Sequence, residues 1–528
     1  MEQDSNVLPA QWNKHSRSDR LNTGLRIVYL AAVVLFVLFL AFHNLGNYPA
    51  TWFDEGSHLH VPKTLLRFGV YADFSSEGFR YYGPTIGVGP TVLLPIAGAL
   101  QVLGMGLWQA RLVNVLYLLA SLAVFWQLAM RLGSRRFVWI AFFLFLSSRS
   151  VNLFEIGRQV LGEVPGLFFL LFALALWFAA WERAGWLRLI LVGMLLGLAT
   201  ITKYQFLLFV IPMLGIGWLA NWFYYRITPH RTFVLPAAMA LIAFGAWQAL
   251  MLLYLGPANV GENLSLLRES VQGAALLLSP SVAASNLELL QDRVVYLGSM
   301  IPALLFGLLW SLRRDRNGQQ WSLLLSLVAL NLIWYVIASI GWIRYAFLGF
   351  SIGSLFVAKF FDELTDGFRL NPGVFSAIYR REPGLDVRGV LSWALVAWLA
   401  VMIAAPLAKT TALVILTREN PAVEMADFMN QNVAMDALVE TWAPEMGFLT
   451  DHNYHFPPPA TLAKAANFIY LAGPPPSVFY QVQENPPPDY ILVNEFSAWV
   501  NLYPYEMLST EYELVGERGL YQLYRRRS

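Results

Sequence analysis

The chain has 528 residues, of which 57% are hydrophobic and only 13% are charged, against roughly 25% charged in a soluble domain. This composition predicts a polytopic membrane protein. The absence of cysteine excludes disulfides, zinc sites with cysteine ligands and a cysteine nucleophile. Residues 1–416 carry 30 basic and 20 acidic side chains, whereas residues 417–528 carry 6 and 14. We therefore expect a basic transmembrane domain over 1–416 and an acidic soluble domain over 417–528.

The first membrane-length apolar run covers residues 27–45, which is long enough to cross a bilayer as a helix. Four basic residues precede it: Lys14, Arg17, Arg20 and Arg26. The run is too long for a removable signal peptide, and it lacks a cleavage pattern. We interpret it as a retained anchor whose N-terminal side lies in the cytoplasm.

Ten further runs are predicted to cross the membrane. They cover residues 108–130, 137–154, 164–181, 186–202, 205–224, 232–255, 294–312, 321–341, 345–361 and 390–408. Segment 91–104 is also apolar, and the positive-inside rule decides how it is counted. If it does not cross, four short arginine-containing loops all lie in the cytoplasm; if it crosses, all four lie outside. We predict that it lies in the interface or re-enters, which gives about eleven transmembrane helices and an extracytoplasmic C-terminus at the plasma membrane.

The segments outside the spans divide into loops and a folded tail. Residues 47–107 form a large first outer loop that we expect to contain interfacial helices. Residues 437–442 and 490–494 alternate with the period of a strand, and residues 423–432 have the pattern of a helix. Three proline triplets favour stiff connections between these elements. The tail is therefore predicted to be a small extracytoplasmic α/β domain.

Two adjacent carboxylates, Asp54 and Glu55, follow the first span. If the N-terminus is cytoplasmic, they lie at the outer membrane surface, before a loop rich in Tyr, Gly and Pro. This position favours chemistry on a lipid-borne substrate. The pattern also allows a simpler interpretation, in which the loop is solvated and Asp54 only caps a helix.

Four other charged residues come out on the same side in this topology. Arg158 and Glu163 lie between two apolar runs, Lys203 follows the fifth span, and Arg344 begins the tenth. A charge at membrane depth is costly, so such groups should pair with one another, as Arg158 and Glu163 could, or line a wet cavity. Carboxylates that could accept a hydroxyl proton would then lie beside cations that could bind a phosphate.

Histidine and tyrosine residues near the carboxylates allow further roles. His58 follows Asp54 by one helical turn, and with His60 the two could bind a metal ion. Surface histidines without a metal are the simpler interpretation. Tyr81 and Tyr82 could line an acceptor or sugar subsite, although Trp and Tyr at span ends commonly form an interfacial belt.

These residues form an ordered set of short motifs. They are Phe53-Asp54-Glu55, Gly89-Pro90 followed by Ala110-Arg111-Leu112, the run from Arg158 to Pro165, the run from Gly197 to Lys203, and Arg344-Tyr345. In this order and spacing the chain resembles the C-type membrane glycosyltransferases that use polyprenyl-phosphate sugar donors. Within that class it is similar to the superfamily of protein O-mannosyltransferases and aminoarabinose transferases. The resemblance covers most of residues 26–361 and is weaker in the tail.

The sequence departs from this family's pattern at two positions. The second acid is usually Asp, and here it is Glu163, which reaches farther by one methylene. Some relatives carry a basic residue near the position of Val88 that contacts the donor phosphate. The resemblance therefore implies other cations at the donor phosphate, namely Arg80, Lys203 and Arg344.

The resemblance implies an inverting transfer of a sugar, a mannose-like hexose, from a polyprenyl-phosphate lipid to a hydroxyl of a protein, lipid or cell-surface glycan. Asp54 would accept the proton of the attacking hydroxyl, and cations would stabilise the leaving phosphate. The implied catalytic acids are Asp54, Glu55 and Glu163; the implied donor phosphate contacts are Arg80, Lys203, Arg344 and Tyr345; and the implied acceptor or sugar contacts are Arg158, His58, Tyr81 and Tyr82.

The expected partners are the sugar lipid, the acceptor and the bilayer, without nucleic acid. We expect no required cofactor, although His58 and His60 keep a divalent metal open. A transporter or flippase of polyprenyl-phosphate lipids is the main alternative from another class. It predicts acids in the middle of spans and an internal repeat, whereas Asp54 and Glu163 lie at span ends and no repeat is visible.

Overall fold

The computed structural model describes residues 12–81, 88–148, 150–274, 276–380, 386–482 and 487–527. Its first part is helical, apart from one hairpin. The helices and strands are α1 Trp12–Phe42, α2 Phe53–Phe68, β1 Asp73–Ser75, β2 Gly78–Arg80, α3 Pro90–Leu103, α4 Leu107–Leu132, α5 Arg135–Ser147, α6 Leu153–Arg158, α7 Glu163–Ala179, α8 Trp186–Thr202, α9 Leu207–Ala220 and α10 Arg231–Ala274. Helix α10 is broken at Gly256, where φ is 77°.

The remaining helices and strands include a five-stranded sheet near the C-terminus. They are α11 Pro280–Gln291, α12 Val294–Ser311, α13 Arg316–Ala338, α14 Phe347–Leu364, α15 Gly373–Arg380, α16 Val387–Leu416, α17 Pro421–Asn432, β3 Leu438–Thr441, α18 Pro444–Leu449, β4 Asn453–His455, α19 Thr461–Leu471, β5 Tyr490–Val493, α20 Glu495–Trp499, α21 Tyr505–Glu511, β6 Tyr512–Arg518 and β7 Tyr521–Arg526. A 3-10 turn, Ile343–Ala346, leads into α14.

Eight helical segments within the described ranges are long and apolar enough to cross a membrane. They are Gly24–Phe42, Leu107–Leu132, Tyr204–Tyr225, Arg231–Glu269, Val294–Ser311, Arg316–Ala338, Ile343–Leu364 and Val387–Asn432. They show a polytopic membrane protein. The other three expected spans fall on α5, α7 and α8, which have 13, 17 and 17 residues. Eleven crossings therefore stay a prediction, as does the interfacial position of α3.

Helix α7 lies in the centre of the helical part because apolar residues cover all of its faces. It packs against α4 and α8. Small residues bring α8 close to α10: a Cβ on Gly197 would lie 2.6 Å from the Cβ of Ala243. Such close helix contact is typical of membrane helices. This packing fixes the ends of α7 and α8, which carry Glu163 and Lys203.

The C-terminal sheet has the strand order β4-β3-β5-β7-β6. Strand β3 is parallel to β4 and β5, while β7 is antiparallel to β5 and β6. Successive residues of β5 face opposite sides, so Leu492 packs in one apolar cluster and Ile491 and Val493 in another. The sheet is therefore covered on both faces, and the two period-2 runs of the sequence lie on β3 and β5.

Helix α2 joins the helical part to this sheet. Gly56 permits the contact, because a Cβ there would lie 2.2 Å from the backbone nitrogen of Glu445 on α18. Lys63 donates hydrogen bonds to the carbonyl oxygens of Gly447 (3.0 Å) and Phe448 (3.1 Å) at the end of α18. A cation at a helix C-terminus is favourable. Asp54, on the first turn of α2, is thereby held between the two parts of the chain.

Candidate active site

Four charged side chains meet where helix ends converge. Asp54 lies in the first turn of α2, Glu163 begins α7, Lys203 caps α8, and Arg344 lies in the turn before α14. The guanidinium of Arg344 forms an ion pair with Asp54, and its Nε lies 3.9 Å from Oε1 of Glu163. That same oxygen pairs with Nζ of Lys203. The four residues that the sequence predicts on one side of the membrane thus form a row of alternating charges.

Aromatic rings surround the cations of this row. The guanidinium of Arg344 lies 4.5 Å from the ring centre of Trp342, 4.9 Å from that of Trp52 and 5.6 Å from that of Tyr345. Nζ of Lys203 lies 5.8 Å from the ring of Tyr345. These distances are within the range of cation–π attraction. The rings hold Arg344 in place and leave its charge available to an anion.

The two adjacent carboxylates point in different directions. Asp54 lines a cavity, whereas Glu55 is fully buried and accepts hydrogen bonds from Arg111 at 2.8 and 2.5 Å. Glu55 also accepts a bond from the backbone nitrogen of Val160. Consecutive residues of a helix point about 100° apart, so only one of them can face the cavity. Glu55 therefore ties α2 to α4 and to the segment before α7.

Of the alternatives that the sequence left open, Arg158 realises neither: it does not pair with Glu163 and it does not line the cavity. Arg158 is fully buried and donates to the carbonyl oxygens of Leu40 and His43, each at 2.6 Å. Its guanidinium lies 5.5 Å from the ring of Tyr48. Arg158 therefore holds the end of α1 in place, while Glu163 takes Lys203 and Arg344 as its partners.

Arg80 lines the cavity from β2. Its Nε and Nη2 donate to Asp73 at 3.2 and 3.0 Å, and its guanidinium lies 4.8 Å from the ring of Phe456 in the C-terminal part. Tyr81 is half-buried, with its ring centre 6.5 Å from that of Tyr254. Tyr82 lies outside the described residues. Of the two described residues, Arg80 lines the cavity and Tyr81 does not.

His58 also lines the cavity, and its Nδ1 lies 2.7 Å from the carbonyl oxygen of Val160. This contact places the proton on Nδ1, so Nε2 is left as an acceptor. Burial lowers the pKa of His58 and keeps the ring neutral. His60 is buried against Phe456, and burial lowers its pKa to about 3. Within the described ranges, no three His, Asp or Glu residues lie close enough together to hold a metal ion.

The cavity has a volume of about 1670 Å³, and both parts of the chain line it. One side is apolar and is lined by Leu207, Leu208, Phe244, Leu264, Leu267 and Leu276. The other side is formed by residues of the C-terminal sheet part. Val88, at the position where some relatives carry a basic residue, lines it next to Lys203: a Cβ on Gly162 would lie 2.6 Å from Val88 and 3.2 Å from Lys203.

Several residues that line the cavity were not predicted from the sequence. Trp52 and Trp342 were assigned to the interfacial belt by default, although each lies within two residues of a charged site residue in the sequence. That proximity was the available signal. The C-terminal wall, with Trp442 and Trp499, carried no local signal, because its position depends on how the sheet docks on α2.

The apolar helices and this cavity define a polytopic membrane protein with a site at the ends of its helices. Residues 88–249 match the family model described as dolichyl-phosphate-mannose-protein mannosyltransferase. A comparison with curated proteins gives no significant match. The family resemblance seen in the motifs is confirmed over these residues.

Solved structures share the fold. ArnT from Cupriavidus metallidurans bound to undecaprenyl phosphate is similar with a TM-score of 0.64 and 14% identity, over 94% of this chain and 97% of that chain. AglB, an archaeal oligosaccharyltransferase from Archaeoglobus fulgidus in complex with an inhibitory peptide and a dolichol-phosphate, is similar with a TM-score of 0.54 and 10% identity, over 95% of this chain and 74% of that chain. The chain therefore has the fold of these membrane glycosyltransferases.

Proposed function

We propose that this protein is a membrane glycosyltransferase that transfers a sugar from a polyprenyl-phosphate carrier to an acceptor hydroxyl. The proposal rests on a row of four ion-paired side chains beside a cavity that also has an apolar side. These side chains are Asp54, Arg344, Glu163 and Lys203. The site thus offers cations to a phosphate, a carboxylate to a proton and an apolar surface to a lipid chain. The family match and the shared fold support the same class.

In the proposed reaction the acceptor oxygen attacks the anomeric carbon of the sugar. The bond between that carbon and the phosphate oxygen breaks, and its electron pair stays on the phosphate. The acceptor proton moves to Asp54, which lines the cavity as the general base. Attack opposite the leaving group inverts the anomeric carbon. The step as written uses side chains alone, and we expect no cofactor.

Arg344 and Lys203 are the proposed donor phosphate contacts, with Arg80 and Tyr345 beside them. Negative charge grows on the phosphate as the bond breaks, so fixed cations stabilise the transition state more than the bound substrate. Arg344 presents a planar set of donors that suits a phosphate. Glu163 binds both cations and is therefore proposed to orient them rather than to accept the proton.

The apolar side of the cavity is the proposed place of the polyprenyl chain. Leu208, Leu264 and Leu276 line it and are exposed, so this side offers accessible apolar surface to a lipid. A lipid can enter there while its phosphate reaches Lys203. We assign the site to the outer face of the plasma membrane, with a hexose such as mannose as the sugar and with a protein, lipid or glycan hydroxyl as the acceptor.

The purified protein in liposomes, supplied with a panel of radiolabelled polyprenyl-phosphate sugars and with membranes from a deletion strain, tests the proposal. We expect radiolabel to move from one of the lipids to a product that mass spectrometry also finds missing in that strain. A flippase would move the labelled lipid across the liposome bilayer and leave the sugar on its carrier. That outcome would overturn the proposal.

A further inference from the structure

The two parts of the chain contribute different charges to the cavity, since the first part supplies cations together with Asp54 and Asp73 and the C-terminal part supplies acids. Among the described lining residues, the basic side chains are Arg80, Lys203 and Arg344, and all three precede residue 417. The C-terminal part contributes Glu445, Glu495 and Glu517 to the lining, and no described Lys or Arg. The side of the cavity opposite the donor cations is therefore acidic, which disfavours a second phosphate there.

Aromatic rings lie beside these acids. The ring centre of Phe496 lies 4.8 Å from that of Trp442 and 4.8 Å from that of Phe53, the residue before Asp54. Trp499 follows on the same helix, with its ring centre 6.3 Å from that of Phe496, and it is 53% exposed. The row of rings therefore runs from Phe53, the neighbour of the proposed base, to the exposed Trp499. A tryptophan left exposed in a cavity offers a flat apolar face to a ligand.

A buried carboxyl group in the same region has an unused oxygen. Oε1 of Glu445 accepts a hydrogen bond from the hydroxyl of Tyr521 at 2.7 Å, while Oε2 forms no well-aligned hydrogen bond among the described residues. The side chain of Asn494 also interacts with this carboxyl group. Glu445 is fully buried, and burial raises its pKa to about 7. A buried polar atom without a partner is costly. Because Oε2 is fully buried, a ligand hydroxyl would reach it only if the surrounding side chains moved on binding.

We call Phe53, Trp442, Glu445, Glu495, Phe496 and Trp499 the acidic aromatic wall. We propose that this wall is the acceptor subsite and that it binds an uncharged, unphosphorylated saccharide unit. The inference rests on the proposed function, because it places the acceptor hydroxyl near Asp54. The CH face of a sugar ring is flat and apolar, and the hydroxyls around its edge need carboxyl and amide partners. Rings and carboxyl groups side by side meet both needs.

A peptide acceptor fits the wall less well. Extended peptides commonly bind by pairing their backbone with the edge of a sheet. The wall instead consists of side chains on α2, on α18, on α20 and just after β3. An anionic lipid headgroup would meet the acids at Glu495 and Glu517. The observations therefore favour a neutral glycan over both.

Saturation-transfer NMR on the full-length protein in nanodiscs tests this inference. The probes are uncharged disaccharides of mannose, glucose, galactose and N-acetylglucosamine, their 1-phosphates, and a peptide rich in Ser and Thr. We expect saturation transfer to at least one uncharged disaccharide and at least a fivefold smaller signal with Trp499→Ala. Tyr505→Ala is the matched control, because Tyr505 is 73% exposed in the same part of the chain and lies outside the wall.

A charge variant provides a second measurement that does not depend on losing a ring. Glu495→Gln combined with Glu517→Gln is expected to bring the binding of the 1-phosphates up towards that of the uncharged sugars. Binding of polyprenyl phosphate, followed in the same samples, separates the two proposals. Suppose that the unmodified protein binds polyprenyl phosphate normally but binds the peptide or the 1-phosphates more strongly than the uncharged sugars. That result would overturn the saccharide subsite and leave the proposed function intact. Absence of all sugar binding under those conditions would overturn the subsite too.

Discussion

Arg344 forms an ion pair with Asp54, so the proposed base is held by a cation that is also proposed to bind the donor phosphate. In the free protein this pair balances two charges that would otherwise lie unpaired near the membrane. A donor phosphate would offer Arg344 a second anion and weaken its hold on Asp54. Donor binding and the availability of the base are thereby coupled through one side chain.

The first prediction concerns Asp54 as the base. Asn has nearly the same shape but does not accept the proton, so Asp54→Asn should lower turnover by at least about 100-fold while donor binding persists. The measurement is sugar transfer by purified protein, with thermal unfolding followed alongside. Asp427→Asn, at an exposed position on α17, is the control. Turnover within a few-fold of the unmodified protein would contradict the assignment. The N-cap of α2 is Trp52 and not Asp54, so the helix-cap interpretation is wrong; an equal loss of stability would show that Asp54 stabilises the first turn of α2 instead.

The second prediction concerns the donor cations. Each charge-assisted hydrogen bond is worth about 1.5–3 kcal/mol, so Arg344→Ala and Lys203→Ala should each weaken polyprenyl-phosphate binding by roughly 10- to 100-fold. Binding to the protein in nanodiscs can be followed by the quenching of tryptophan fluorescence, because Trp52 and Trp342 lie beside Arg344. Arg67→Ala removes a half-exposed cation elsewhere on α2 and should leave this affinity unchanged. Unchanged affinity in both test variants would rule the assignment out.

The third prediction separates Glu55 from Asp54. Breaking a buried ion pair by removing one partner costs about 3–5 kcal/mol. Glu55→Gln should therefore lower the unfolding temperature sharply, because Arg111 is left buried without its counter-charge. Glu363→Gln, which removes a 43% exposed partner of Lys359, should change it little. A Glu55→Gln protein with normal stability and no turnover would show instead that Glu55 acts in the reaction.

The sequence was sufficient to predict Asp54, Glu163, Lys203 and Arg344 on one side of the membrane, because the arginine distribution predicts the side on which each helix end lies. It did not determine which acid pairs with which cation. That choice depends on the helix packing, which turns Arg158 towards the end of α1 and leaves Glu163 to Lys203. A predicted topology assigns each residue to one side of the membrane, whereas identifying an ion pair requires the distances between side chains.

The adjacent carboxylates and the C-terminal wall show the same limit. Two neighbours on a helix differ in direction, and the sequence contains no local indication that Arg111 selects Glu55. The period-2 runs of the sequence predicted β3 and β5, whereas β4, β6 and β7 were not predicted. The position of Trp499 beside the cavity follows from the contact between Gly56 and Glu445, which lie far apart in sequence.

The fourth prediction concerns pH and Glu445. Its pKa is raised from 4.5 to about 7 by burial, so the folded state retains a proton that the unfolded state releases above pH 4.5. The resulting stabilisation is complete below that value and is lost as the pH rises through about 7, a change of about 3 kcal/mol. Glu445→Gln should flatten the dependence of thermal stability between pH 5 and 8, whereas Glu506→Gln, at an exposed position, should not. An unaltered pH profile in Glu445→Gln would contradict the raised pKa.

The last prediction concerns topology. Eleven crossings with a cytoplasmic N-terminus place the C-terminal part on the same side as Asp54. Because the chain contains no cysteine, single cysteines can be introduced without background labelling. Ser509→Cys on α21 and Asn317→Cys near the start of α13 are both exposed positions in the structure.

A membrane-impermeant maleimide added to whole cells whose surface it can reach should label Ser509→Cys, and should label Asn317→Cys only after lysis. The expected difference follows from the arginines around Asn317, which the positive-inside rule places in the cytoplasm. Labelling of Asn317→Cys alone in intact cells would invert the orientation, and labelling of both there would show that the number of crossings between them is wrong. The inverted orientation would place Asp54 and the sheet in the cytoplasm, and the proposed outer-face reaction would then have to be abandoned. Labelling of both would keep Asp54 and the sheet outside and change only the number of crossings.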